Sequence, residues 1–329
     1  MSKAPVQRRS RLRAVTTLVL LLAGCNRPSG DDTPQAKPVE VQPRVPTAST
    51  PSPLQPLDAQ LIGERLGAAV HVEGGVVRGM LTRSDLSVTV GGSPAPRALE
   101  LGTTLEFSPG PRGARLSGSS ALLEDEVSPV LDTLLAHGIQ IVGLHNRFAF
   151  DAPRVLLMHF QGEGNAALLA SGVQSISASL RDARSRAATP QASWAGAPPA
   201  PGGLDARAIG GALGAMAQAH GDAVTLSVLR QKASPSGTPA AAAILLHAVW
   251  TGSDLHSAVD GSLHVTRSEL TPVLAGLRRG NLHISALQPD SAAEPPNDSF
   301  LVYFYGRGSS LDLVRALRLA LDAQSSTQG

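Results

Sequence analysis

The sequence predicts an α+β fold built by tandem duplication of one unit, in which an antiparallel sheet is combined with helices. Two internal matches carry this prediction. A block that starts near residue 124 recurs 143 residues later, and a segment that starts at residue 57 recurs 147 residues later. The first match relates positions in the two copies: Glu126, Pro129 and Leu144 to Glu269, Pro272 and Leu287. Helices and antiparallel strands in separate stretches of chain are typical of the α+β class.

Each copy is predicted to contain a helix, several strands, a second helix, two strands and a closing helix. Asp58 and Asp205 are suitable N-caps for the two opening helices. The first copy has strand patterns at 76–81, 86–90, 104–107, 114–123, 139–147 and 154–161, and the second has them at 223–228, 240–250 and 261–265. The strand–helix–strand–strand–helix part is compatible with a ferredoxin-like split arrangement. Duplication further predicts two similar units related by a pseudo-twofold axis.

The start of the middle helix has two candidate caps, and the sequence does not choose between them. Ser128-Pro129 and Thr271-Pro272 each place a hydroxyl before a proline, which suits an N-cap followed by the first helical residue. Thr266 with Glu269 instead forms a capping-box pattern five residues before Thr271.

The N-terminus predicts export and lipid anchoring. Residues 1–13 are basic, and the apolar run that follows is about ten residues long, shorter than the ~20 that span a bilayer. The run ends in Leu22-Ala23-Gly24-Cys25, which resembles the lipobox of bacterial lipoproteins. The resemblance implies cleavage before Cys25, a lipid thioether on it and acylation of its new amino group, which together give a stable anchor. The alternative is an ordinary signal peptide with an incidental cysteine.

These features predict the organisation and location of the chain. We expect a signal peptide at 1–24, a proline-rich tether at 25–56, the first repeat at 57–184, a linker at 185–203, the second repeat at 204–324 and a tail at 325–329. The tether favours extended polyproline conformations. The folded part is expected in the cell envelope, outside the cytoplasm and joined to the membrane through Cys25.

Composition limits the classes of function. Hydrophobic residues make up 42% and charged residues 16% of the 329 residues, which suits a globular core. Five of the 28 basic residues lie before Cys25, so the mature chain would hold 23 bases against 26 acids, a net charge of −3. Nucleic-acid binding needs clustered positive charge, and aromatic residues for base stacking make up only 3%. We therefore expect no nucleic-acid partner.

The chain around residues 124–162, called here the organising block, resembles the LppY/LpqO family of bacterial, often lipid-anchored or exported, proteins of unknown function. The resemblance rests on separated blocks in the same order, at residues 83–90, 123–130, 144–146, 153–155 and 158–159. It covers most of 57–184 and, more weakly, 204–324. The family block typically reads L-H-N-H or L-H-S-H, followed by M-H on the next strand. This chain keeps His145, Asn146 and His159, has Arg147 in place of the second histidine, and carries Gln288, Pro289, Asp290 and Tyr305 in the second copy.

Two chemistries are open at these positions. His145 and His159, near the ends of neighbouring strands, could bind a transition metal together with a carboxylate from Glu126, Asp125 or Asp151. Three ligands with an open position would suit a metal-dependent enzyme. Alternatively, Arg147 beside His145 and Asn146 could receive an anionic small molecule. Against both stands the view that the histidines only serve packing.

Signatures of common enzymes are absent: the sequence has no G-x-S-x-G elbow, H-E-x-x-H pair or P-loop. We predict a non-catalytic ligand-binding or interaction lipoprotein that uses the first repeat, because half of the candidate ligands of the resembling family are missing here. The alternative is a metal-dependent enzyme with its site at His145 and His159. The ligand or protein partner is not predicted.

Overall fold

The fold is described from a computed structural model, whose described residues are 54–95, 101–187, 198–230, 243–290 and 298–326. The predicted signal peptide and nearly all of the tether, including Cys25, lie outside these residues. The helices of the first repeat are α1 (Ala59–Leu66), α2 (Val127–Ala136) and α3 (Ala166–Arg186). Those of the second are α4 (Ala206–Leu213), α5 (Arg267–Arg279) and α6 (Ser310–Ser325). The predicted linker at 185–203 therefore starts two residues inside α3.

A single antiparallel sheet of 12 strands runs through both repeats. The first repeat supplies β1 (Val70–Glu73), β2 (Val76–Thr82), β5 (Gly102–Gly110), β6 (Gly113–Leu123), β7 (Gln140–Asn146) and β9 (Val155–Gly164). The second supplies β10 (Ala217–His220), β11 (Ala223–Arg230), β12 (Ala243–Gly252), β13 (Ser257–Thr266), β14 (His283–Pro289) and β15 (Ser299–Gly308). The spatial order is β1-β2-β5-β6-β9-β7-β14-β15-β13-β12-β11-β10.

The order of strands is the same from each edge to the centre, as the predicted duplication requires. The two halves meet where β7 pairs antiparallel with β14, through Leu144 and Leu287. These are the residues that the sequence match makes equivalent, so the pseudo-twofold axis passes between a residue and its own counterpart.

Each half contains the predicted split motif. Strands β6 and β7 are joined through α2 and are parallel, because each pairs antiparallel with β9, which lies between them. In the second repeat β15 lies between β13 and β14 in the same way. The fold is thus ferredoxin-like in this part, as the sequence predicted.

Alternation of side chains along the strands separates two faces of the sheet. The helices cover one face, where a continuous core spans both repeats and includes Leu134, Met158, Trp250 and Leu277. On the other face of the first repeat, a smaller cluster contains Val88, Ala121, Leu123 and Val155. The segment predicted as a strand at 86–90 covers this cluster. Only its end forms a strand, β3 (Thr89–Val90), in a small sheet with β4 (Ser93–Pro94) and β8 (Asp151–Ala152).

The helix caps settle the alternatives left by the sequence. Asp58 accepts from the backbone N–H of Leu61, and Asp205 from that of Ala208, so both predicted caps are confirmed. Helix α5 begins after Thr266, whose N–H donates to the Glu269 carboxylate at 2.8 Å. The start at Ser128-Pro129 and Thr271-Pro272 is wrong, because both hydroxyl residues lie inside their helices.

Both halves also share a close contact between a glycine and an aromatic ring. Phe160 lies over Gly118 of the neighbouring strand, and Phe304 lies over Gly261. A Cβ atom at Gly118 would fall 2.5 Å from the Phe160 ring and 2.7 Å from the Thr104 carbonyl oxygen. A side chain is therefore excluded at this position of the sheet.

Gly118→Ala is expected to destabilise the protein by about 1–3 kcal/mol, because the added methyl overpacks the core. Gly211→Ala is the matched control, since it lies in α4 with nothing within 4 Å of an added Cβ. It should gain about 0.5–1 kcal/mol from helix propensity. Urea denaturation measures both, and a Gly118→Ala protein as stable as wild type would contradict the described packing.

Candidate functional site

The two histidines of the organising block meet on the sheet face opposite the helices. Leu144 and Met158 point into the core, and their neighbours His145 and His159 therefore project from the other face. Their Nε2 atoms lie 2.9 Å apart, and the rings are stacked with centroids 5.1 Å apart and planes at 26°. The structure thus forms a pair of converging imidazoles, called here the histidine pair.

Glycine at position 143 makes room for this arrangement. Gly143 is the direct partner of His159 in the register of β7 and β9, next to an irregularity in β7. A Cβ atom here would lie 3.3 Å from the His159 ring. The absence of a side chain lets the His159 ring extend over β7 towards His145.

Hydrogen bonding fixes the protons of the neutral pair. His145 Nδ1 lies 2.9 Å from the carbonyl oxygen of Asn146, which can only accept, so Nδ1 carries the proton. In neutral His145 the Nε2 atom is then an acceptor, and His159 Nε2 donates to it. Protonation of His145 would put two N–H groups face to face unless His159 changed tautomer.

The environment opposes positive charge on His159. Burial lowers the pKa of His159 below the ordinary value, and the nearby charge of His145 lowers it further. His159 is therefore neutral at neutral pH and able to offer a lone pair or a single N–H.

The other predicted site residues do not converge on this pair. The Asn146 side chain lines a cleft between the repeats, described below. Arg147 is exposed, and its guanidinium lies 4.9 Å from the centre of the Phe148 ring. Among the described residues, no hydrogen bond joins the side chain of Asn146 or Arg147 to either imidazole.

The carboxylates considered as metal ligands are engaged elsewhere. Glu126 is fully buried and accepts from the Leu123 N–H at 2.8 Å and from two guanidinium nitrogens of Arg83 at 2.9 Å each. Asp125 pairs with Arg184. Asp151 accepts from the Val155 N–H at 2.7 Å.

The predicted centre of His145, His159 and Glu126 is consequently not assembled. Within the described ranges, no group of three or more histidine, cysteine, aspartate or glutamate residues could hold a metal ion. Any metal at this site would have two histidine ligands from the described chain.

The buried glutamate has an architectural role that both copies share. In the second repeat, Glu269 is buried and accepts from the Gln324 side chain at 3.0 Å, which also donates to the His264 carbonyl oxygen. In the first repeat, Arg83 makes the equivalent contacts, because it donates to the Glu126 carboxylate and to the Ala121 carbonyl oxygen. Burial lowers the pKa of Arg83, but its bonds to Asp85 and Glu126 raise it above the ordinary value overall, so the ion pair persists. Glu126 therefore anchors the start of α2.

The sheet register corrects one equivalence. The sequence match made Tyr305 the counterpart of His159. In the sheet, however, Gly143 pairs with His159, and its counterpart Ala286 pairs with Tyr303. Gln288 remains the counterpart of His145. The second copy therefore presents Gln288 and Tyr303 where the first presents the histidine pair.

Sequence reasoning missed a second polar site, the inter-repeat cleft, of about 820 Å³. It lies between the end of β7 and the start of β14, with the beginning of α2 as one wall. Ser128, Asp260 and His283 line it, and they are far apart in the sequence. Asp260 and His283 both pair with Tyr305 in the second repeat, and the junction of β7 with β14 brings Ser128 of the first repeat to them. No local motif signals that junction.

Comparison with known proteins places both repeats in one family. The profile of the family described as Domain of Unknown Function (DUF1259) matches residues 60–179 and 207–323, once in each repeat. A comparison with curated proteins finds no match.

Two solved structures show only a weak likeness to the chain. One is the crystal structure of a trimeric bacterial microcompartment shell protein PduB, which is 8% identical over 79% of this chain and 92% of that chain, with a TM-score of 0.20. The other is the crystal structure of aspartate kinase from Synechocystis, which is 13% identical over 66% of this chain and 40% of that chain, with a TM-score of 0.13. At such scores neither supports a functional argument.

Wild-type stability is expected to fall as the pH drops from 7.5 to 5.5. The folded pKa of His159 lies below its unfolded value of about 6.5, so the unfolded chain takes up the proton first. Burial and the charge of Arg278 also lower the pKa of His283, which contributes in the same direction. His159→Asn should reduce the loss of stability over this range, as measured by denaturation at several pH values. An unchanged pH slope would contradict the described burial of His159.

Proposed function

We propose that this chain, which belongs to the family described as Domain of Unknown Function (DUF1259), is a lipid-anchored protein of the bacterial cell envelope whose first repeat binds a ligand. Binding centres on the histidine pair, and the role is non-catalytic. Within the family, we place the chain with the LppY/LpqO proteins as a degenerate member, because it retains His145, Asn146 and His159 but has Arg147 at the fourth position.

The observation that carries the proposal is the convergence of two imidazoles in one repeat only. Core positions of the block stay apolar in both copies, as Leu144 and Leu287 illustrate. Packing accounts for those positions. It does not require two half-exposed histidines to meet at 2.9 Å, since Gln288 and Tyr303 take their places in the second copy without loss of the fold.

The pair offers a compact set of hydrogen-bonding groups to a ligand. Its imidazoles are held by the Asn146 carbonyl and by each other, and a ligand that inserts between the Nε2 atoms gains one donor and one lone pair. Arg147 carries a positive charge with no ion-pair partner among the described residues. It lies two residues after His145, just beyond the end of β7. We favour an anionic ligand bound by the imidazoles, towards which the exposed Arg147 side chain would turn from its contact with the Phe148 ring.

A metal ion is the second candidate, and the same geometry supports it. Two nitrogens bound to a tetrahedral ion at ~2.0–2.1 Å lie about 3.3 Å apart, so a small opening of the 2.9 Å contact would admit it. The lowered pKa of His159 keeps its ring neutral, and metal binding through Nε2 would require its remaining proton to move to Nδ1. Catalytic zinc centres use three protein ligands, and two histidines therefore fit simple binding better than a metal-dependent enzyme.

The cellular location of the protein is proposed from the N-terminal sequence alone. The lipobox-like Leu22-Ala23-Gly24-Cys25 supports lipid attachment at Cys25 and a folded part outside the cytoplasm. The membrane is then a partner through the lipid, and a mature net charge of −3 disfavours nucleic acid. Within the described residues, no helix has both the length and the apolar character needed to cross a membrane.

The ligand site is tested with His145→Ala combined with His159→Ala. We expect calorimetric titration of the full chain in detergent to detect binding of inorganic phosphate or Zn²⁺, and the double variant to bind at least tenfold more weakly. Its stability should change little, because neither ring is in the core. The matched control, Gln288→Ala with Tyr303→Ala, alters the equivalent positions of the second repeat and should bind as wild type does.

The same titration separates the two candidates. Binding of phosphate that is also lost in Arg147→Ala supports an anionic ligand, whereas binding of Zn²⁺ that Arg147→Ala leaves intact supports a metal. Binding by the histidine double variant at wild-type affinity, or no binding of either probe to wild type, refutes the site.

Anchoring is tested with Cys25→Ser in the natural host or in a bacterium that processes lipoproteins. Wild-type protein should partition into detergent, because its acyl chains bury methylenes at ~0.8 kcal/mol each. The variant should remain an unprocessed precursor or appear in the aqueous phase. Recovery of wild type wholly in the aqueous phase would disprove lipid attachment.

A further inference from the structure

The inter-repeat cleft exists because the two halves of the sheet touch at a single register pair. Beyond Leu144 and Leu287, no further pairing between β7 and β14 is formed. Asn146 at the end of β7 and Ser285 near the start of β14 both line the space that opens there. With about 820 Å³, the cleft has the size of a small-molecule site.

Contacts between the repeats hold its walls. Ser128 Oγ lies 3.1 Å from His283 Nδ1. Asp132 accepts two bonds from Arg278, at 3.0 and 3.1 Å, and Arg278 also donates to the Leu282 carbonyl oxygen at 2.7 Å. Burial, followed by the charge of Arg278, lowers the pKa of His283, so its bond to the serine joins neutral groups. These contacts within the protein preform the wall of the cleft.

The charges that line the cleft are compensated within the protein, with one exception. Glu124 lies 3.9 Å from Arg154, Asp125 pairs with Arg184, Asp132 pairs with Arg278, and Arg186 pairs with Asp182. The exception is Asp260, in the middle of β13. Across the described part of the chain, no side chain makes a hydrogen bond or ion pair with its carboxylate.

Asp260 lies at a solvent-exposed position on the wall of the cleft. Partial burial raises the pKa of Asp260 above the ordinary range, as expected for a carboxylate that lacks a partner. Its neighbour across the sheet is Tyr305, whose hydroxyl accepts from Arg307 Nε at 3.0 Å and whose ring centre lies 5.8 Å from the Arg307 guanidinium. A carboxylate that is open to the cleft and has no paired cation in the described part of the chain is a favourable place for a cation.

The pseudo-symmetric position shows that packing does not require this carboxylate. By the register of the sheet, Ser117 is the counterpart of Asp260, Gln140 of His283 and Gln161 of Tyr305. The two glutamines bond directly to each other there, at 3.2 Å. In the first repeat these positions are therefore joined by two neutral amides. In the second repeat they include an acid that is not paired within the described residues.

We infer that the inter-repeat cleft binds a small organic cation, whose ammonium group pairs with Asp260 while its polar remainder meets Asn146 and Ser285. The ligand supplies the positive charge that the described part of the chain does not pair with Asp260. This site is separate from the histidine pair, and its occupant differs in charge from the anion favoured there.

The test uses the full chain in detergent, with ethanolamine, putrescine and spermidine as probes and acetate as the anionic comparison. We expect at least one amine to bind wild type in calorimetric titration at pH 7 and to raise its melting temperature, while acetate does neither. Asp260→Asn should weaken amine binding at least tenfold, since it removes a charge-assisted bond. Binding to wild type should also weaken as the pH falls, at higher pH than for an ordinary aspartate, because Asp260 must be ionised.

Two controls keep the result interpretable. Asp222→Asn makes the same change at an exposed turn between β10 and β11 and should bind amines as wild type does. The variant with both His145 and His159 changed to alanine should also retain amine binding, which separates this site from the ligand site proposed above. Without ligand, Asp260→Asn should be at least as stable as wild type at pH 7, because a raised folded pKa means that ionisation opposes folding.

Failure of all three amines to bind wild type would overturn the inference. So would equal binding by wild type and Asp260→Asn, because the carboxylate would then play no part.

Discussion

The pairing of Leu144 with Leu287 is the constraint on which the architecture depends. It joins two six-stranded halves into one sheet, and it lets the cores of the two repeats merge on the helical face. It is the single register pair between β7 and β14, so the pairing does not continue on either side of it. The continuous core and the cleft that interrupts its edge therefore have the same origin.

The two repeats keep the same frame while differing in the polar groups attached to it. Glu126 and Glu269 are buried at the same step, where a strand gives way to a helix, yet Arg83 satisfies one and Gln324 the other. A buried carboxylate needs a partner wherever it occurs, but the partner need not come from the same place in the fold. Positions that serve the frame are thus alike in both copies, while the histidine pair and Asp260 occur once.

Much of the frame could be predicted from the sequence, because hydrophobic periodicity and duplication are both visible there. The paired blocks predicted the strands around His145 and His159, the caps at Asp58 and Asp205, and the split strand order. Local patterns could not show that Glu126 would turn towards Arg83, since that depends on a contact 43 residues away. Nor could they place Ser128 beside His283, 155 residues along the chain. The equivalence of His159 with Tyr303 needed the register of the sheet, because the copies are offset by 143 residues at Gln140 and His283 but by 144 at His159 and Tyr303.

The pairing of a residue with its own counterpart has a consequence for how such a protein diverges. The same contact between separate identical chains would be the two-fold interface of a homodimer, and every substitution would then appear on both sides of it. Covalent fusion of the copies removes that restriction. Equivalent positions can then differ, as Ser117 and Asp260 do, and a substitution affects only one side. A single chain can therefore have an asymmetric interface, in which one copy accepts substitutions while the other keeps the residues that stabilise the fold.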